Sequence, residues 1–193
     1  MKTKIFDDEL ALIKNGRIKT FAERAIDILP DYFFEMPAST TGKYHPSYTS
    51  GSGGLARHVK ACMRIAYELF RIDFWGFTDT QKDLILVALL LHDGWKKGLE
   101  DTATSYSVIE HPLVASREIK RNFSGAGYIS ETNLDFICSG IETHMGQWVG
   151  RKNSDKEILQ KPKNKFQKFI HLVDYLASRK CLEMNFEVAL STS

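Results

Sequence analysis

The sequence predicts an all-α fold, a single-domain bundle of six to eight helices, on three observations. Apolar residues recur at helical spacing in nearly every periodic segment, no run alternates as a half-buried strand would, and no stretch repeats another. At 193 residues the chain suits one compact domain with a sizeable core and leaves little room for a second.

Asp7 to Lys14 and Thr20 to Leu29 read as short amphipathic helices, the second stopped by Pro30. From Pro37 to Gly54 the chain turns to Ser, Thr, Gly, Pro and Tyr, which predicts an ordered loop. Leu55, Val59, Cys62, Ala66 and Leu69 then share one helical face through Phe70. Thr78 and Gln81 have capping-box spacing and open a helix through Leu84 to Leu91, apolar on all sides and so predicted to be buried, with Gly94 placed to end it. Pro112 suits the first turn of a helix running to about Phe123. Leu134, Ile137, Cys138, Ile141 and Met145 mark another, ended by Gly146, and Phe166, Phe169, Ile170, Val173 and Ala177 mark the last. Beyond Cys181 the pattern fits a short strand or an irregular tail equally. The expected organisation is N-terminal helices over 1–36 packing on the domain, the bundle over 37–181, and a tail over 182–193.

Composition narrows the function classes. The chain is 43% hydrophobic and 26% charged, as ordinary globular proteins are, and its net charge of +2 gives no argument for a polyanionic partner. Cys62, Cys138 and Cys181 are widely spaced and odd in number, which predicts reduced thiols rather than a disulfide frame or a zinc ribbon. The N-terminus turns acidic where a signal peptide would be apolar, and the run Leu84 to Leu91 is far too short to span a bilayer, so the expectation is a cytoplasmic protein with no membrane partner.

The informative residues are ionisable ones on apolar faces. His58 lies four before Cys62, His144 three after Ile141, and His111 four before Ala115. Asp174, four after Ile170 and three before Ala177, occupies the position of its helix that looks most buried. The pair His92-Asp93 ends the most apolar helix in the chain. A core-facing carboxylate needs a cationic partner, and four imidazoles with two carboxylates on the insides of different helices point to a shared one, most economically a divalent metal. Each alone has a plainer reading: a lone histidine on an apolar face is usually a satisfied core residue, and Asp174 can pair with Arg179 or a lysine.

In order, His58, His92-Asp93, His111, His144 and Asp174 resemble the binuclear pattern of the HD-domain superfamily of metal-dependent phosphohydrolases. Gly53-Gly54-Leu55-Ala56-Arg57-His58 is similar to that family's first-histidine motif, Leu90-Leu91-His92-Asp93-Gly94-Trp95-Lys96 to its HD-x-x-K core, and Val173-Asp174-Tyr175-Leu176-Ala177 to its closing aspartate helix. The resemblance implies a helical bundle with a central metal site. It implies that His58, His92, Asp93 and Asp174 hold a first ion, that His111 and His144 add a second, and that Asp93 bridges them. Mixed imidazole and carboxylate ligation suits Mn, Fe, Co or Ni. Lys96 matches the family lysine that approaches the substrate phosphate, so Asp93 and Lys96 are the residues expected to serve catalysis; the plainer reading of Lys96 is a surface lysine beside Lys97. The acidic pair Glu100-Asp101 does not match the spacing of the proton-transfer acids of single-metal members, and the Gly-Tyr-Pro element of cyclic-dinucleotide phosphodiesterases is absent.

The expected partner is a small phosphorylated substrate, a nucleotide first. Lys43, Tyr44 and His45, in the loop that enters the first ligand helix, are the candidate substrate contacts, against the alternative of an ordered surface loop. Seven basic residues between Arg151 and Lys168 keep an oligonucleotide or cyclic nucleotide as the second reading, although such a run is more often a solvated surface. A non-catalytic signalling bundle ranks last, because all six ligand positions are filled.

Overall fold

The computed structural model describes residues 2–100, 104, 106–151 and 156–183, and among these it contains eight α-helices and no β-strand, the sole bridge being Gly150 with Glu157. The helices are α1 (Asp7–Leu10), α2 (Gly16–Asp27), α3 (Tyr32–Glu35), α4 (Gly54–Leu69), α5 (Asp79–Leu91), α6 (His111–Phe123), α7 (Glu131–Thr143) and α8 (Lys165–Ala177). Single 3-10 turns lie at Lys2–Phe6, Ser47–Thr49, Asp73–Trp75 and Lys180–Leu182.

Helix α5 is the axis of the bundle, with α2, α4, α7 and α8 packed around it. Every residue from Leu84 to Leu91 is buried, as an all-apolar helix must be, and each large side chain there contributes about 1.5–3 kcal/mol by leaving water. Its start is fixed by the predicted capping box: Thr78 Oγ1 accepts from the Gln81 amide, and Gln81 Oε1 accepts from the Thr78 amide. Asn164 and Gln167 repeat the device at α8, and Ser130 caps α7.

The N-terminal segment departs from the sequence expectation. Helix α1 stops at Leu10 rather than reaching Lys14, and is preceded by an unforeseen 3-10 turn. Helix α2 begins four residues earlier than expected because Asn15 serves as its cap, its Oδ1 accepting from the Arg17 and Ile18 amides. The four-residue α3 is too short to leave a periodic signature. These pieces are tied to the bundle by polar contacts as well as by packing. Glu9 of α1 is buried against Arg64 and Lys60 of α4, and Asp83 of α5 accepts from the backbone amides of Lys14 and Asn15.

Gly94 has a different role from the one its position predicts. Helix α5 ends at Leu91 with His92 as its cap, and Gly94 is instead a point of close approach, where a Cβ would stand 2.6 Å from Leu29 Cδ2. Beyond Cys181 the described chain forms a 3-10 turn, and residues 184–193 lie outside the described residues. No helix among the described residues is long and apolar enough to cross a membrane.

Candidate metal centre

Three of the four ligand-position histidines reach one point by a shared local device. His92 caps the C-terminus of α5, His144 caps that of α7, and His111 is the first residue of α6. In each, Nδ1–H donates to the carbonyl three residues earlier: His92 to Leu89 at 2.7 Å, His111 to Val108 at 2.7 Å and His144 to Ile141 at 2.8 Å. Using Nδ1 in this way fixes the tautomer and ring orientation and leaves Nε2 with its lone pair turned inward. His58, within α4, differs: its Nδ1 has no partner, and its Nε2 lies 3.0 Å from Asp174 Oδ1.

Asp93 stands at the middle and divides its two oxygens. Oδ2 lies 3.6 Å from His92 Nε2, 3.9 Å from His58 Nε2, and within contact of the Lys96 ammonium. Oδ1 lies 3.1 Å from His111 Nε2 and 3.7 Å from His144 Nε2. Asp174 Oδ1 is 3.6 Å from His92 Nε2. Asp174 is not the most buried position of its helix, as the pattern implied. Its side chain is 19% exposed, since it faces a cavity, while Ile170 and Val173 are the buried neighbours. It has no ion pair with Arg179; its partners are His58 and His92.

The electrostatics suit a cation. Burial opposes ionisation of Asp93, yet the charges of Lys96, His92 and His111 hold its carboxyl well below the usual carboxylate range. Asp174 behaves alike, burial being outweighed by the hydrogen bond with His58 and by the His92 imidazole beside it. Burial, with His92 and His111 nearby, lowers His144 to about 3, so its imidazole is neutral at physiological pH. His92 Nε2 is buried without a hydrogen-bond partner, and the Nε2 atoms of His111 and His144 face each other across 3.2 Å. Inward lone pairs and ionised carboxylates at such separations are satisfied together by divalent metal, and the residues present fit one.

Cys62, which the sequence predicts to be a reduced thiol, joins this cluster, with Sγ 3.6 Å from His58 Nε2 and close to the ligand atoms of His92 and Asp174. Burial pushes its thiol well above its ordinary pKa, and the nearby Asp174 and Asp93 carboxylates add to the rise. Its place one helical turn after His58 was the available signal.

A cavity of about 460 Å³ opens from the ligands toward solvent. Asp93, Lys96, His111, His144 and Asp174 line it, and so do Tyr44 and His45 from the predicted loop. Burial and the neighbouring His58 and Lys96 lower His45 to about 4. Lys43 does not line the cavity; it is exposed, with its ammonium 5.1 Å from the centre of the Tyr44 ring. Trp148 and Arg179 do line it, and neither was singled out as a substrate contact, because their loop positions carry no periodic signal.

Other sequence candidates resolve into local structure. Glu100 accepts from the Asp31 amide at 2.9 Å, and Asp101 lies outside the described residues. In the basic run Arg151 pairs with Glu110 at 2.8 Å, Lys161 pairs with Glu157, and Lys165 sits over the Phe77 ring. Lys152 lies outside the described residues.

Comparison with curated proteins and with solved structures finds no match. Against protein families, the HD domain matches residues 55–179, well over half of the 193-residue chain. That span begins at the helix of His58 and closes just after the helix of Asp174, so it takes in the whole cluster. The chain belongs to the HD domain family.

Proposed function

We propose that this protein is a metal-dependent phosphohydrolase that cleaves a phosphoester or phosphoanhydride bond of a nucleotide or related small phosphorylated metabolite. The observation that carries this reading is the division of Asp93, with one oxygen toward His58 and His92 and the other toward His111 and His144. Two donor groups sharing one carboxylate are what a pair of divalent ions needs. On this reading His58, His92, Asp93 and Asp174 hold the first ion, and Asp93, His111 and His144 the second. Nitrogen and oxygen donors together suit Mn, Fe, Co or Ni.

Bound divalent ions would supply a water of lowered pKa and positive charge against phosphoryl oxygens. The chain's own residues provide the rest. The Nδ1–H bonds to Leu89, Val108 and Ile141 hold the imidazoles in place before any ligand arrives, so little reorganisation is needed. Lys96 keeps Asp93 ionised and presents its charge on the wall of the cavity, where a compact cation stabilises a phosphate gaining negative charge.

The test is turnover of a panel of nucleoside triphosphates, monophosphates, cyclic nucleotides and short strands with Mn²⁺, alongside titration of Mn²⁺ into the protein. Hydrolysis that needs the metal and disappears in Asp93→Ala supports the reading, and the product identifies the bond. Failure of the wild-type protein to bind Mn²⁺, Fe²⁺ or Co²⁺ refutes it.

A further inference from the structure

The cavity that holds the metal cluster has a second kind of wall. Trp148 is 43% exposed and lines the same cavity as Asp93, His111, His144 and Asp174. Its indole is held on two sides. Tyr175 lies near-parallel to it, at 9° with centroids 6.0 Å apart, and His171 meets it at 64° and 5.8 Å. His171 in turn donates from Nδ1 to the carbonyl of His144 at 2.8 Å. The same ring fills the space beside Gly146, where a Cβ would stand only 2.1 Å from it. Gly146, at φ +63°, is the turn that carries the chain from His144 toward Trp148. The position of the indole and that of a metal-cluster histidine are therefore set by one turn locked against α8.

Arg179 stands on the same cavity wall. Its guanidinium lies 4.4 Å from the centre of the Tyr175 ring and 5.6 Å from that of Tyr44. Its side-chain hydrogen bonds go to Ser178 Oγ, at 3.3 and 3.0 Å, and among the described residues no carboxylate pairs with it. A cation held by aromatic faces, with its charge unanswered, is a receptor for an anion.

We infer that Trp148 is the platform on which a nucleobase of the substrate stacks, while Arg179 takes up negative charge on the same ligand. The substrate is then a nucleotide unit, free or at the end of a strand, with its reacting phosphate at the metal cluster. The inference rests on the phosphohydrolase reading for that phosphate, and adds a base that the reading does not require. A cavity of about 460 Å³ falls within the range for small-molecule ligands. Stacking is tolerant of base identity because every base has a π-face, so discrimination among bases is expected to be weak.

The experiment measures binding of a nucleoside 5′-monophosphate, of ribose 5-phosphate and of a 5′-phosphorylated trinucleotide to Mn²⁺-treated wild-type protein and to Trp148→Phe, Trp148→Ala and Arg179→Met. Trp148→Ala is expected to weaken the base-bearing ligands about tenfold or more and leave ribose 5-phosphate unchanged, with Trp148→Phe near wild type. Arg179→Met weakens ligands with and without a base alike. Nucleotide quenches tryptophan emission in the wild type, and the quench disappears in Trp148→Phe, which keeps Trp75 and Trp95. A loss in Trp148→Ala confined to the trinucleotide places the base at a strand end, and a loss shared with the mononucleotide shows that a free nucleotide suffices. The inference is overturned if Trp148→Ala binds every ligand as the wild type does, if it weakens ribose 5-phosphate equally, or if the wild type binds neither base-bearing ligand. Mn²⁺ titration of the same proteins separates the two readings. Intact metal binding with no base effect sinks only the platform, whereas absent metal binding sinks the phosphohydrolase reading whatever Trp148 does.

Discussion

Glu9 and Asp93 are both buried carboxylates, at 0% and 2% exposure, and their surroundings are opposite in kind. Glu9 is answered by the chain's own fixed cations, Arg64 Nε at 2.7 Å and the Lys60 ammonium at 3.2 Å. Asp93 has one such cation, Lys96, and is otherwise ringed by imidazoles that use Nδ1 on backbone carbonyls and turn Nε2 inward. The first arrangement balances its charge within the chain and fastens α1 to α4. The second has more inward-facing acceptors than the chain has cations to satisfy. Burial alone therefore does not distinguish a structural carboxylate from a metal-holding one; the nature of its neighbours does.

The sharpest way to break the comparison is to remove each carboxylate in turn. Asp93→Ala should lower metal-dependent hydrolysis by about a hundredfold to a thousandfold or more, and should abolish the rise in Tm that Mn²⁺ gives the wild type. Glu9→Gln should leave Mn²⁺ binding untouched and lower stability by about 1–3 kcal/mol, read by urea unfolding. The lower end is expected because Arg64, 59% exposed, can return to water. A loss of metal binding in Glu9→Gln would show that the two clusters are not separate.

A pH series sharpens the same contrast. Burial lowers the pKa of His92, but Asp93 and Asp174 outweigh it and raise the imidazole above 6.5. A raised pKa means that the chelated fold gains stability below the unfolded value and loses it as pH rises through the folded one. Metal must displace that proton, so metal affinity should fall as pH drops through the same range, and calorimetry should detect proton release on binding. The His92 contribution makes the Tm of chelated protein fall with pH above 6.5, whereas His144 and His45, neutral in the fold, make it rise with pH below that value, and a bound ion should remove the His92 fall. Equal slopes above that value with and without the ion would show that His92 takes no part in binding it. The smallest effect belongs to Thr78→Ala, which removes half of the α5 capping box far from the cluster. It should cost about 0.5–2 kcal/mol in unfolding and nothing in metal affinity.

Much of this was legible in the sequence because the ligand positions sit on helices, where spacing maps directly onto direction. His58 and His144 could be placed on inward faces from their apolar neighbours, and the all-apolar run of α5 marked the bundle's axis. What failed were features set by chain ends and loops. The cap at Asn15 starts α2 ahead of its periodic apolar residues, and α3 is one turn long. Asp174 was ranked by the apolar residues around it, whereas a cavity open on one side leaves it partly exposed. Trp148 and Arg179 follow a glycine turn and a helix end, so their common cavity depends on how α7 and α8 pack. Glu9 gave no sign of burial, because its cations come from residues more than fifty positions away.

The side chains of the cluster are far apart along the chain: His58 and Asp174 are separated by 116 residues, and His111 and His144 by 33. Ions held by these residues and sharing Asp93 would form a removable cross-link that closes several long loops at one knot. Closing loops takes freedom from the unfolded chain, and an ion that binds only the folded form adds stability in proportion to its supply. Metal availability would then set the lifetime of the protein against proteolysis as well as its chemistry.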